Sequence, residues 1–219
     1  MATFALIAEG LTDQIVLESI IYQICSEVFE GGIDINPLQP LRDATDQAVT
    51  APHGGWELVL EYCEERVADA LSANDYVVIH LDTDKGDHAN FGLPLTDQGA
   101  DRPYDDFVAG AIRIIAARLG KDFYETHVDR LLFAISVHTM ESWLLLYFYE
   151  REKPKNSLVR LNRELKKQNK TALVKEASSY KRIADKIRRK QLLKLSTTKN
   201  SFGMFLANLA ALKDANAEA

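Results

Sequence analysis

No apolar stretch in this chain approaches the roughly 20 residues that a bilayer-spanning helix needs. Its start also lacks the basic-then-apolar order of a secretion signal. The expectation is a cytoplasmic protein without a membrane partner. Cysteine is scarce: Cys25 and Cys63 are the two present, with no CxxC or Cys/His spacing around them. Both fall on inward-facing positions of helical patterns, which reads as buried free thiols and argues against a disulfide or zinc site in a reducing compartment. The pattern GxxxxGK[ST] is missing, so any ATP hydrolysis has to come from a partner. There is no internal repeat and no low-complexity segment. What the chain does have is ample apolar material, 47% of 219 residues, enough for one domain or one domain with a small appendage.

The net charge of −6 conceals a division. Residues 1–150 hold 8 Lys/Arg against 26 Asp/Glu, net −18, whereas residues 151–219 hold 18 against 6, net +12. An acidic body followed by a basic segment has two readings: the segment meets a polyanion, or it docks on the body within the chain or in a dimer. Tyr180-Lys181-Arg182, Lys186, Arg188-Arg189-Lys190 and Lys194 supply cations around much of one helix, enough to track a phosphate backbone. Tyr180, Phe202 and Phe205 are the few aromatics nearby, so base stacking is poorly supported and backbone recognition of DNA or RNA is the safer reading. Inward packing of Ile183, Ile187 and Leu192 accounts for the same periodicity.

Hydrophobic periodicity gives the order of elements. The run 4–8 reads as a buried strand closed by Glu9-Gly10. From Thr12 onward Val16, Ile20, Ile24 and Val28 recur at four, with Leu17, Ile21 and Cys25 beside them, a helix expected to end at Gly31-Gly32. A weaker strand is expected over 33–38, then a loop with Pro37, Pro40 and Pro52. After His53-Gly54-Gly55 a helix from Trp56 buries Val59, Cys63, Val67 and Leu71. Residues 76–81 are nearly all apolar and β-rich, as in a strand covered on both faces. The polar stretch 82–102 is the longest loop, of a length usually tied to function or mobility. A helix over 104–119 turns Phe107, Ala111, Ile114, Ile115 and Leu119 inward, and 131–137 forms the fourth strand. Thr139 is then placed to cap a helix carrying Glu141, Trp143, Leu144 and Tyr147.

This alternation implies an α/β fold with a mostly parallel four-stranded sheet flanked by helices. Beyond Glu152, helical segments at 157–168, 179–195 and 201–212 are rich in Lys and Arg, broken by Pro154 and by Thr197-Thr198-Lys199-Asn200. The domain reading is a body of residues 1–150 and a basic helical extension of 151–219.

Acidic residues follow three of the apolar runs: Glu9 and Asp13, Asp82 and Asp84, and Glu141. Strand ends are where an open α/β sheet gathers ligand groups, so these carboxylates read as a divalent-metal site. Asp82-Thr83-Asp84 is the sharpest signal, because residues i and i+2 of an extended chain point to one side while Thr83 points away. Carboxylates with retained water suit Mg²⁺ or Mn²⁺ better than softer metals. The competing reading is a solvated turn in which the Asp oxygens bond nearby amides. Asp87 could add a ligand, although its spacing does not match a calcium loop. Glu9 could hold a metal or move a proton, and Asp13 could instead serve the dipole at a helix start. His138 lies near Glu141 and could orient a water or phosphate. His80 reads as a hydrogen-bonded core residue, Trp143 as a packing residue, and His53-Gly54-Gly55 as either a phosphate-binding turn or an ordinary loop.

Glu9-Gly10-Leu11-Thr12-Asp13, Asp82-Thr83-Asp84 and Glu141-Ser142-Trp143, in this order after successive strands, resemble the Toprim domain. The version they resemble is shared by the overcoming-lysogenization-defect nucleases and small standalone relatives of bacterial defence loci. The resemblance covers residues 1–150 and implies a Rossmann-like domain that binds Mg²⁺ or Mn²⁺ to cut or rejoin phosphodiesters. Carried onto this chain, it makes Glu9 a ligand or general acid/base and Asp82 and Asp84 ligands. Asp13 and Glu141 would serve a second metal. It also implies a lysine after the last acid, for which Lys199 is the candidate. The chain is too short for a topoisomerase and no tyrosine stands in a strand-passage context, so hydrolysis is favoured over rejoining. An antiphage effector, an ATPase partner and a homo-oligomer are further implications. Two other functions fit parts of the pattern: a DxD glycosyltransferase acting on nucleotide sugars, and a non-catalytic nucleic-acid-binding subunit.

Overall fold

The computed structural model describes residues 1–42, 55–153 and 155–212. Pro52, His53, Gly54 and Pro154, the last expected from the sequence to break the helical pattern, lie outside the described residues. The chain opens with β1 (Ala2–Ile7), α1 (Leu11–Cys25) and β2 (Ile33–Gln39). Next come α2 (Gly55–Glu65), α3 (Val67–Ala73) and β3 (Tyr76–Asp82). The strands β4 (Thr96–Asp97) and β5 (Ala100–Asp101) form a small hairpin before α4 (Tyr104–Leu119) and α5 (Lys121–His127). A 3-10 turn, Val128–Arg130, leads into β6 (Leu131–Ser136) and α6 (Met140–Tyr149). Among the described residues four helices follow: α7 (Ser157–Lys167), α8 (Ala177–Ala184), α9 (Arg189–Leu195) and α10 (Ser201–Ala210).

The main sheet has the order β2-β1-β3-β6, and every pairing in it is parallel. Pro37 sits in β2, an edge strand, where a residue without an N–H is tolerated. Along β1 and its extension, Phe4, Leu6 and Ala8 enter one apolar cluster and Ala5 and Ile7 the other, the alternation of a strand buried on both faces. The first cluster is covered by α1, α6 and the C-terminal helices, the second by α2, α3 and α4. Among the described residues no helix is long and apolar enough to cross a membrane.

Several boundaries differ from the sequence expectation for identifiable reasons. The first helix stops at Cys25, short of the glycines, because Phe29 turns into the core and meets Phe4 edge-on with ring centroids 6.0 Å apart. The helix expected from Trp56 breaks at Arg66 (φ −132°, ψ −6°). A strict spacing of four drifts by about 120° between Val59 and Leu71 in a straight helix, and the break lets all four of Val59, Cys63, Val67 and Leu71 stay buried. The 179–195 segment is likewise two helices. Ile187 is buried between them, and Arg188 N donates to Tyr147 Oη at 2.7 Å.

The 82–102 stretch is partly built into the core. Phe91 and Leu93 are buried, Phe91 packs on Trp56 with centroids 5.1 Å apart, and Asp87 Oδ1 accepts from Leu95 N at 2.8 Å. Asp87 therefore braces this loop. The β4–β5 hairpin turns through Gln98 and Gly99, both at positive φ, the signature of a tight two-residue connection.

Residues beyond 150 share the first apolar cluster with the sheet. Trp143 stacks on Phe202 and Phe205 with centroids 4.7 and 5.5 Å away, and its Nε1 donates to Ser201 Oγ at 3.0 Å. Cys25 and Cys63 are both buried and unbridged, and burial pushes each thiol up to about 12. Truncating Phe205 to Ala is expected to cost about 3–5 kcal/mol. Urea unfolding of that variant should show one transition shifted to lower denaturant, and a separate early transition for the C-terminal helices would contradict the shared core.

Candidate functional site

The chain leaves β1 through α1 to β2 on one side and returns past β1 to β3 on the other, so the β1 and β3 ends diverge. That divergence is the place where open parallel sheets bind ligands. Glu9 lies two residues beyond β1 and Asp82 ends β3. Glu9 Oε1 accepts from the Asp82 backbone N–H at 2.7 Å. Gly55, at the start of α2, backs onto Glu9 so closely that a Cβ there would sit 2.6 Å from the Glu9 carbonyl oxygen.

Thr83 points away from its two acidic neighbours. It is buried, its Oγ1 accepts from His138 N at 2.8 Å, and the amides of Thr83 and Asp84 both donate to His138 O at 3.0 Å. This latch ties the β3 extension to the β6 extension and fixes Asp82 and Asp84 on the opposite side. A cavity of about 560 Å³ is lined by Glu9, Asp82, Asp84, Glu141, Lys85 and Lys175. Asp84 is exposed, whereas Asp82 and Glu141 are buried. Asp13, in the first turn of α1, stands behind this wall and is 5% exposed.

The acids are close enough to raise one another. Glu9 is held well above the usual carboxylate range by burial first, then by the neighbouring charges of Asp82, Asp13 and Asp84. Asp82 is also held well above it, by burial and then by Glu141. Asp13 is pushed from 3.8 to about 7 by burial and then by Asp82. Asp13 Oδ1 and Asp82 Oδ1 are buried with no hydrogen-bond partner. His80 Nε2 lies 3.0 Å from Ser136 Oγ and 3.3 Å from Asp82 Oδ1, the latter too poorly aligned to satisfy that oxygen. Burial lowers the His80 pKa, so the ring adds no positive charge near neutrality.

Glu141 has the opposite environment. Burial raises it, but donors win: Lys175 Nζ at 2.6 Å, Thr139 Oγ1 at 2.5 Å and Tyr180 Oη together hold it below its ordinary value. Thr139 occupies the N-cap position of α6 without a side-chain cap bond, because its hydroxyl is drawn to Glu141 and to Ser157 Oγ at 2.8 Å. The expected cap is thus replaced by a carboxylate contact, the stronger of the two. Lys175 is raised above its usual value: burial opposes its charge, but Glu141, Asp13 and Asp82 favour it more.

Among the described residues, no three His, Cys, Asp or Glu side chains are grouped closely enough to hold a metal ion. Glu141 is occupied by its three donors, and Glu9 is engaged with the Asp82 amide. The geometry therefore brings Glu9, Asp82, Asp84 and Glu141 to one cavity, with Asp13 behind them, without closing them into a coordination shell.

Lys199 lies in the exposed turn between α9 and α10, where neighbouring Asn200 accepts from Gly203 N at 2.9 Å, and it does not line this cavity. Two lysines line it among the described residues, Lys85 and Lys175, and the one paired with a carboxylate there is Lys175, in the connection before α8. It belongs to no motif, so nothing along the chain distinguishes it from the other basic residues. Tyr180 also joins the site, although its sequence neighbours suggested a nucleic-acid contact. It is fully buried, as are Phe202 and Phe205, which removes all three from base stacking. Some tail cations are used internally: Arg189 pairs with Glu27 at 2.9 Å and Lys194 with Glu150 at 3.0 Å. Docking of the basic segment on the acidic body is thus visible in the fold.

Compared with known proteins, the chain matches no family model, no curated protein and no solved structure.

The raised acids carry a pH signature. Asp13 binds its proton more tightly when folded than when unfolded, so its contribution favours the fold at low pH and is lost as pH rises from about 4 to about 7. Glu9 and Asp82 act in the same direction. Melting of the metal-free protein is expected to move to lower temperature between about pH 5 and about pH 8. Asp13→Asn should flatten that slope and raise the melting temperature at the upper end by about 5 °C. An unchanged slope would show that Asp13 is not the buried, raised acid described here.

Proposed function

We propose that this chain is a metal-dependent, Toprim-like nuclease that hydrolyses phosphodiester bonds in DNA or RNA, acting as an effector in bacterial antiphage defence. The observation that carries this reading is the meeting of Glu9, Asp82, Asp84 and Lys175 at one cavity on the β1/β3 divergence. Among the described residues these side chains are not grouped as a coordination shell, but the chemistry of the donor set fits a hard divalent cation. It consists of carboxylates, two of whose buried oxygens lack a partner, and their mutual repulsion is what a cation relieves. Mg²⁺ or Mn²⁺ would be held by Glu9, Asp82 and Asp84, with Asp13 supporting from behind. When bound, such a cation neutralises phosphoryl oxygens and acidifies water.

The protein's own groups divide the remaining work. Glu9, whose carboxyl burial and the neighbouring acids make a stronger proton holder than an ordinary carboxylate in the absence of a cation, can exchange a proton with a reacting oxygen. Lys175 stays charged and has a half-exposed side chain, 52%, so its ammonium can meet a non-bridging phosphate oxygen. Glu141, with Thr139 and Tyr180, orients Lys175, which makes it a positioning residue in this reading and leaves the lysine role to Lys175, not Lys199. An ATPase partner and a homo-oligomer accompany the resemblance and are not required by the site. A DxD sugar transferase would leave Glu9 and Lys175 without a task.

The test is incubation of purified protein with single- and double-stranded DNA and structured RNA, with and without Mg²⁺ or Mn²⁺. Asp82→Ala and Glu9→Ala are expected to lose about 100-fold or more of the cleavage rate. Lys175→Ala should lose about 10²–10³-fold, and Lys199→Ala should match the parent. Cutting that persists in the two acid variants, or a parent inert with both metals on every substrate, would overturn the assignment and favour a binding subunit.

A further inference from the structure

Next to the carboxylate cavity lies a second one, of about 400 Å³, whose wall includes Arg102, Lys153, Lys155 and Arg160. That volume is within the range of about 300–1,000 Å³ typical of small-molecule sites. Among the described residues no Asp or Glu lines it, although the surrounding body is strongly acidic. Its cations come from two distant parts of the chain, the start of α4 and the segment around α7, so no single helix face explains their meeting. Arg102 Nε is buried and has no hydrogen-bond partner. A guanidinium donor desolvated without an acceptor costs free energy unless a ligand supplies one.

Two further features give the cavity a direction and a chemistry. His138 lines both cavities. It is held at φ +65°, a left-handed conformation unusual for a side-chain-bearing residue, by the hydrogen bonds to Thr83 and Asp84 described above. Tyr104 also lines the cationic cavity and is 39% exposed, an aromatic surface on which a base can stack. A wall of cations beside an aromatic face matches a nucleotide, with phosphate on the former and base on the latter.

We infer that this cavity is a nucleotide subsite that holds one residue of a single-stranded nucleic acid, phosphate on Arg102 and base on Tyr104, one step from the bond presented to the carboxylates. The order of the two subsites rests on the nuclease reading; the binding itself does not. It also places strand recognition at the junction of body and C-terminal segment, away from the α8–α9 cations that the sequence suggested.

The experiment is fluorescence anisotropy of labelled single-stranded DNA, and of RNA of the same sequence, titrated with the full chain in EDTA so that cleavage cannot intervene. Arg102→Ala is expected to weaken binding of at least one strand about tenfold and to reduce the salt slope by about 0.7. Tyr104→Leu should weaken it about fivefold or more without changing that slope. Because Arg102 is partly buried, the exposed pair Lys153→Ala/Arg160→Ala provides a second measure that does not depend on Arg102 folding correctly, with a slope reduced by about 1.4. Parental affinity in the exposed-pair variant, or in a natively melting Arg102→Ala, would overturn the subsite. Loss of binding in these variants from a parent that cleaves nothing would retain the subsite and remove the nuclease.

Discussion

The arrangement depends on burying ionisable oxygen next to ionisable oxygen at the mouth of the β1/β3 divergence. Glu9 Oε1 bonds the backbone amide of Asp82, Asp82 stands against Glu141, and Asp13 lies behind them. An isolated buried carboxylate costs several kcal/mol unless it is neutralised or paired. The fold tolerates several by two means. Some hold their protons more tightly than an ordinary carboxylate, and Glu141 is surrounded by Lys175, Thr139 and Tyr180. A hydrophobic cluster of the same volume would be more stable, so the cluster costs stability that packing elsewhere offsets.

That offset comes largely from the C-terminal helices. Their apolar faces complete the cluster under β1, β3 and β6, and Trp143 stacked between α6 and α10 joins the two parts of the chain. The same segment delivers Lys175 and Tyr180 to Glu141. Its positive charge is thus partly structural: it balances the acids of the body at particular contacts, Lys175 with Glu141, Arg189 with Glu27 and Lys194 with Glu150. The exposed pairs add little energy each. The buried end of the Lys175 pair matters more, since removing the lysine leaves Glu141 nearly dry with one strong donor fewer.

The strand pattern was readable because burial on both faces leaves near-continuous apolar runs, and residues 76–81 ending in Asp82-Thr83-Asp84 are the clearest case. Helix breaks were not readable. Arg66 interrupts a periodicity that looks continuous, and residues 185–188 do the same, since each break answers a packing need set by other elements. The acids flanking the strands were legible as a group for the same reason as the strands: an ionisable residue directly after a buried run stands at a sheet edge. Lys175 was not, because a lysine among many basic residues acquires meaning only when another helix brings Glu141 to within 2.6 Å of it. The Thr-Thr-Lys-Asn-Ser turn that carries Lys199 instead provides Asn200 as the cap of α10.

By itself the sequence determined the α/β alternation, the strands and their terminal carboxylates, and the charge division near residue 150, because each is written in local periodicity and composition. Tertiary structure alone decided which basic residues face the acids, that Tyr180, Phe202 and Phe205 are core, and that Arg102 meets Lys153 and Arg160 around one cavity. Those outcomes depend on contacts between segments tens of residues apart. No local pattern encodes such contacts, because they are fixed by how the apolar faces of all the helices share one sheet.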